Sequence, residues 1–480
     1  MSYLLLALLA SVYDDTPLTV NPDPYWQPGT YQEYLADQPK FQSLQVRQIT
    51  GETRGSDFLV LMEENMSDSL DSDIVNQWLA DIASEGNTVS LAEITYAEPV
   101  EIRTWLQGLH AEGLKGVVFV GDIPAPWSCI EDNTTRSNET FPSDYFYMDL
   151  DGDWQDNWIG YPSQGVSGQD DIYDGWSGDL DPEIYTARIL TSVILLGNEY
   201  ELINNYLERL HQWRIEGDPD PHALCYVDDD WAGWGNSYKS AMEYLYDDVE
   251  LVNQYSATNG TDYRNNRLPS GYTWISPFVH SSPTSHAWSP GPSTTSGHIW
   301  TDQPPSRFYN LFACSNCRFT SNWCMGCTYT FGTASGIAAV GSTKSGSMLK
   351  FAYFYSPLGN GSSFGEAYQA WWNHIAQGGL SPHEQYWHLG MVILGDPTVM
   401  PSMHMLGIEE QPAVPSISFS ANPAAGPVTV FTEGEFTVVD MAGRTVAFGQ
   451  GTETLTNLGT GVYMVRSVEN GVSAKLCVIR

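Results

Sequence analysis

Positive charge is what this chain has least of. Twenty Lys and Arg stand against 58 Asp and Glu, a net charge of −38. A surface that acidic repels phosphate backbones and anionic headgroups, which argues against nucleic acid as a partner. Long apolar runs are also missing. The most apolar stretch, Tyr3 to Ala10, is too short to cross a bilayer, so no transmembrane segment is expected. With small Ser11 and acidic Asp14-Asp15 behind it, residues 1–11 suit a signal peptide, although no Lys or Arg precedes the run. Cysteine is sparse: Cys129, Cys225, Cys314, Cys317, Cys324, Cys327 and Cys477. An odd number in an exported chain leaves at least one thiol unpaired. Apolar content is not lacking. At 42% hydrophobic, with 17 Trp and 27 Tyr, the chain is globular and long enough for two or three domains. That composition points to a secreted or cell-surface protein facing carbohydrate or peptide.

Residues 12–56 are rich in Pro, Gln, Tyr and Asp without a clear period and are expected to form an extended lead-in. From Asp57 the element types alternate. Asp57 to Met62, Thr88 to Ile94 and Lys115 to Gly121 have strand character. Between them, Ser69 to Ser84 has helical spacing with Ile74, Trp78, Leu79 and Ile82 on one face, and Pro99 to Leu109 is a helix opened by proline. This alternation predicts a parallel sheet with crossover helices over residues 57–220. It resumes after an acidic, aromatic insertion and runs through a second α/β half over 221–405. Residues 406–421 are a Pro/Ser-rich linker, and 422–480 carry short alternating strands that predict a small β-sandwich.

The chemistry is expected in the second half. Thr273 to His280 and Phe308 to Cys314 are apolar strands that end in a histidine and in a cysteine. In open α/β sheets ligands sit beyond the carboxyl ends of the strands, where both residues fall. A thiol needs a base or a cation nearby to react at neutral pH, and an imidazole on the next strand end supplies one. His286, in the same loop, is the weaker rival. The alternative is that Cys314 is core packing and His280 a satisfied loop histidine.

Two further clusters stand out. Cys314-Ser-Asn-Cys317 and Cys324-Met-Gly-Cys327 form paired CxxC motifs that could chelate zinc. A thiolate in a closed zinc site cannot act as a nucleophile, and a disulfide among Cys317, Cys324 and Cys327 is expected over zinc. Asp149, Asp151, Asp153 and Asp156 alternate around Gly152 in the oxygen-rich manner calcium favours. The resemblance to an EF-hand loop is partial, because Gly160 occupies the twelfth position. Asp144 or Asp170-Asp171 could complete the shell. A structural calcium is expected there; the alternative is a solvated acidic turn.

His280, the Ala313-Cys314 pair, the Ile337 to Ser342 strand and Leu394-Gly-Asp-Pro-Thr398 together resemble the gingipain family of caspase-like cysteine peptidases. The similarity spans about residues 57–401. It implies a caspase/gingipain-like parallel-sheet sandwich in two successive halves, with Cys314 attacking the scissile carbonyl and His280 protonating the departing amine. The N–H groups of Ser281 and Cys314 would hold the oxyanion. The family usually has glycine after the histidine, and this chain has Ser281. The resemblance also implies that the loop holding Asp228, Asp229 and Asp230 walls the primary specificity pocket, which would favour Arg or Lys. Lys344 would oppose that preference if it entered the pocket. Residues 422–480 are similar to the C-terminal sorting domain of type IX secretion, through Asn422-Pro, Asp440 to Arg444 and Gly461-Val-Tyr463. The expected protein is thus a secreted cysteine endopeptidase acting on proteins or peptides, engaging type IX machinery and stabilised by calcium. The alternatives are a catalytically silent gingipain-like binding or structural module at the cell surface, and a zinc-stapled domain.

Overall fold

The computed structural model describes residues 29–131, 138–312, 314–402, 418–420, 424–432, 434–440, 444–467 and 473–479. The expected signal peptide and most of the linker lie outside the described residues. The chain divides into two compact units, Met1–Met405 and Leu406–Arg480.

Unit one is built on a single sheet of eleven strands. In chain order these are β1 (Val46–Thr50), β2 (Phe58–Glu63), β3 (Val89–Ile94), β4 (Gly116–Val120), β5 (Tyr185–Ile189) and β6 (His222–Val227). They continue with β7 (Asp248–Val252), β8 (Trp274–Phe278), β9 (Phe308–Leu311), β10 (Ala338–Ser342) and β11 (Met391–Gly395). The spatial order is β1-β3-β2-β4-β5-β11-β10-β9-β8-β6-β7. All five residues are buried in each of β4, β5, β8, β10 and β11, as expected for strands covered on both faces.

The two expected halves are therefore one sheet. β11, the last strand of unit one, lies between them, parallel to β5 and antiparallel to β10. The strands of the second half consequently run opposite to those of the first. The link is locked by Asp396 in the Leu394 to Thr398 segment. Its buried carboxylate accepts from Trp78 Nε1 at 2.7 Å and from Arg214 at 3.1 Å, and its N–H donates to Tyr206 Oη at 2.7 Å. Gly395 has φ +122°, and a Cβ there would meet Ile337 O at 2.5 Å, so only glycine fits.

Helices cover both faces. α1 (Ser72–Ser84) starts at an Asp71 cap that accepts from Asp73 and Ile74 N–H, and it buries Val75, Trp78, Leu79 and Ile82. Val75 takes the inward place expected of Ile74. α2 (Pro99–His110) has proline in its first turn and buries Ile102, Leu106 and Leu109. α3 (Glu199–Glu216), capped by Asn198, buries Tyr206, Leu210 and Trp213. The lead-in is more ordered than its composition suggested: Tyr31–Ala36 is a helix with a capping box, and β1 pairs antiparallel at the sheet edge. All five residues of β1 are exposed, so no apolar alternation announces it.

Unit two has a three-stranded sheet (Ser418–Phe419, Val428–Phe431, Glu453–Leu455) and a four-stranded one (Thr445–Gln450, Glu435–Asp440, Gly461–Ser467, Ser473–Val478). They share a core of Val428, Val430, Phe436, Val438, Val465 and Leu476. No described helix is long and apolar enough to cross a membrane.

Candidate active site

Four neighbouring strands, β10, β9, β8 and β6, run parallel and place a functional group just past each carboxyl end. The row is in register: Val227 pairs with Phe278, Phe278 bridges to Phe312, and Leu311 pairs with Gly341. Two or three residues beyond that row stand Asp230, His280, Cys314 and Lys344. Two more backbone bonds, Asp228 N–H to Phe278 O at 2.9 Å and Val279 N–H to Phe312 O at 3.3 Å, extend the pairing into the site. This row brings His280 and Cys314 together on adjacent strand ends.

His280 has one committed nitrogen and one idle one. Its Nε2 lies 2.7 Å from Asp230 Oδ2. A carboxylate only accepts, so Nε2 is the donor, and in the neutral ring Nδ1 is then the nitrogen with the lone pair. That Nδ1 is buried and has no hydrogen-bond partner among the described residues. The imidazole packs on Trp231, with ring centroids 4.5 Å apart, which fixes its plane. Cys314 is 2% exposed and opens a tight turn. Ser315 follows it at φ +59°, a left-handed conformation that costs a non-glycine residue of order 1–3 kcal/mol. The turn is held by Ser315 N–H to Lys344 O (2.8 Å), Cys317 N–H to Ser342 O (2.9 Å) and Asn316 Nδ2 to Leu311 O (2.9 Å).

The sequence pattern of peptidase family C25 matches residues 57–402. The chain belongs to that family. Among solved structures it is similar to the crystal structure of the Arg-specific cysteine proteinase gingipain R, at 14% identity. That likeness covers 90% of this chain and 99% of the other, with a TM-score of 0.50, and it concerns the fold. No curated protein matches the sequence.

Within this C25 chain the other expected site residues are placed as follows. Ser281 is the middle residue of a short hairpin strand that starts at His280; it pairs with His286, and its Oγ lies 2.6 Å from His286 Nδ1. It is not left-handed, so serine meets no strain where the family has glycine. His286 is fully buried against Tyr263, Trp288 and Tyr329, and burial pushes it down to about 3, so it stays neutral. The three aspartates expected to wall the specificity pocket have different partners within the fold. Asp228 is fully buried and accepts from Ser289 N–H at 3.2 Å, with burial raising its carboxyl to about 7. Asp229 accepts from Ser256 N–H at 3.1 Å, and Asp230 holds His280. Residue type alone could not separate these roles; only the position of Asp230 opposite the histidine strand could have suggested its partner.

The acidic loop is also redistributed. Asp149, Asp151 and Glu183 each bring one carboxylate oxygen within 4.8 Å of the others. Asp153 instead meets Gln155 and Ser177, and Asp156 accepts from the N–H groups of Asp170 and Asp171. Asp149 also accepts from Gly152 N–H and Trp154 Nε1, both at 2.7 Å, yet burial lifts it to about 6. Glu183 was missed because it sits far along the chain, just ahead of β5. All seven cysteines are thiols; Cys317, Cys324 and Cys327 lie buried, and Cys324 Sγ is 3.5 Å from Asn316 O. The expected disulfide among them is absent. A cavity of about 560 Å³ between Arg209, Trp213, Trp300 and Arg307 lies at the opposite, amino-terminal edge of these strands, away from His280 and Cys314.

Proposed function

We propose that this C25 chain is an exported cysteine endopeptidase. The observation that carries the proposal is the alignment of Asp230, His280 and Cys314 beyond three adjacent parallel strands, with one histidine nitrogen on the carboxylate and the other idle. Nδ1 of His280 takes the thiol proton, and Cys314 Sγ attacks the scissile carbonyl carbon. The oxyanion is received by the N–H groups of Ser281 and Cys314. In a hairpin closed by two residues the ladder alternates, which aims Ser281 N–H away from its partner strand and supports that role. Protonated His280 then passes its proton to the leaving amine, and water activated by His280 Nδ1 hydrolyses the thioester. Asp228 is fully buried and Asp230 is engaged by His280, so a preference for Arg or Lys before the scissile bond would rest on Asp229, which accepts from one backbone N–H, that of Ser256.

The test compares wild type with Cys314→Ala on fluorogenic peptides carrying Arg, Lys, Asn or Asp before the scissile bond, with calcium and with chelator. Cleavage by wild type and none by the variant is expected. No cleavage under any condition, including after limited proteolysis, would favour the silent binding module, the reading that the 2% exposure of Cys314 supports.

Two accessory roles belong to the same proposal. Asp149, Asp151 and Glu183 would hold a structural calcium in place of the alternating aspartates, and the raised Asp149 carboxyl marks an acid that a cation would relieve. Unit two, a strand-rich body with its own core, would serve as the type IX sorting domain. Deleting residues 422–480 should then abolish export and leave peptidase activity in cell extracts.

A further inference from the structure

The fourth strand end carries a cation. Lys344 follows β10, next to the strand of Cys314, and is fully buried. Its carbonyl accepts from Ser315 N–H at 2.8 Å, which ties it to the nucleophile turn. Its stem is packed tightly: a Cβ on Gly390 would lie 2.3 Å from Lys344 Cγ. The ammonium donates to the carbonyls of Ser345 and Tyr386 and lies 4.6 Å from the Tyr386 ring centroid and 5.4 Å from that of Phe141. Both hydrogen-bond acceptors are neutral, an unusual setting for a buried charge. Burial pushes Lys344 down to about 8, and the negative charges that favour its ammonium are Glu139 and Cys314. Glu139 itself accepts from Ser345 N–H at 3.0 Å and Oγ at 3.3 Å. Coupling between two titrating groups is mutual, so a cation helped by the thiolate helps the thiolate equally.

We propose that Lys344 is a positioning residue for the nucleophile, its buried ammonium stabilising Cys314 in the thiolate form. The proposal rests on Cys314 being the nucleophile of the proposed peptidase. It also accounts for a lysine at a strand end of the site without giving it a substrate to bind, since two of its three protons are engaged by carbonyls. The titratable and charged groups facing the pair are Glu139 from the Glu139–Pro142 strand, Tyr386 and His388 from the Pro382–His388 helix, and His280 with Asp230 from the neighbouring strand ends. His388 is held well below its usual range by burial and stays neutral. His280, Lys344 and Glu139 are therefore the chargeable groups nearest the pair that the experiment has to separate.

The experiment measures alkylation of Cys314 by iodoacetamide in the full chain from pH 5 to 9, read by mass spectrometry of the Cys314 peptide. It is run in a His280→Ala background to remove the imidazolium. Lys344→Met should move the acid limb up by about one pH unit, which is about tenfold slower labelling near pH 6. Lys344→Arg should keep the original limb. Lys344→Gln, which removes the charge but keeps an amide donor for the carbonyls, should move the limb the same way as Lys344→Met, and it serves if Lys344→Met fails to fold. An unchanged limb in folded Lys344→Met or folded Lys344→Gln overturns the proposal. Alkylation needs no peptide hydrolysis. A shifted limb without any peptidase activity would therefore keep the Lys344–Cys314 pair and reject the peptidase.

Discussion

Replacing Asp230 by asparagine tests the central geometry. The carboxylate fixes the His280 tautomer through a 2.7 Å bond to Nε2, and an amide that can present either a donor or an acceptor loosens that choice. A charge-assisted bond of this kind is worth about 1.5–3 kcal/mol in a shielded setting. Asp230 is not shielded: its side chain is 59% exposed, against 17% for His280. Water screening brings the effect just below that range, to about 1.4 kcal/mol, or about tenfold in rate. Asp230→Asn should therefore lower kcat about tenfold on every peptide substrate and leave KM nearly unchanged. Steady-state kinetics on peptides with Arg, Lys, Asn or Asp before the scissile bond measure this directly. A rise in KM confined to Arg and Lys peptides, with kcat unchanged on the others, would refute the reasoning. It would show Asp230 to be a pocket acid that only meets His280 when no substrate is present.

Ser281→Pro removes the backbone N–H assigned to the oxyanion and should lower kcat by about 10²–10³. Ser281→Ala keeps that N–H and should cost only stability, about 1 kcal/mol for the lost bond to His286, seen in urea unfolding. Arg188→Met strands the buried Asp144 carboxylate, which accepts two bonds of 2.7 Å from the guanidinium, and should destabilise unit one by about 3–5 kcal/mol in the same assay. Asp149 and Asp228 are raised by burial to about 6 and about 7 from an ordinary 3.8. The folded state then binds more protons than the unfolded state between about pH 4 and 7, so these groups make Tm fall as pH rises across that window. Asp228→Asn should flatten the slope on a thermal scan. Calcium should raise Tm at pH 7.5 in wild type, and Asp151→Asn should abolish that rise.

The sequence by itself determined the strands and the two residues at their ends. Continuous apolar runs such as Gly116–Val120 and Trp274–Phe278 can only be strands buried on both faces, and a polar residue just beyond such a strand must lie at the sheet's carboxyl edge. That is why the apolar pattern alone marks His280 and Cys314 as candidates, and why the α/β class is legible in it. Local pattern stops at the end of each element. β1 carries no pattern because it is wholly exposed, and its order comes from pairing with β3. Whether two α/β halves form one sheet is decided by where β11 inserts, a pairing between segments some two hundred residues apart. Three consecutive aspartates look alike in a sequence, and only the folded loop turns Asp228 to Ser289, Asp229 to Ser256 and Asp230 to His280. Glu183 and Lys344 follow the same rule. A charge acquires its role from burial and from its neighbours in space, and the tertiary structure alone supplies both.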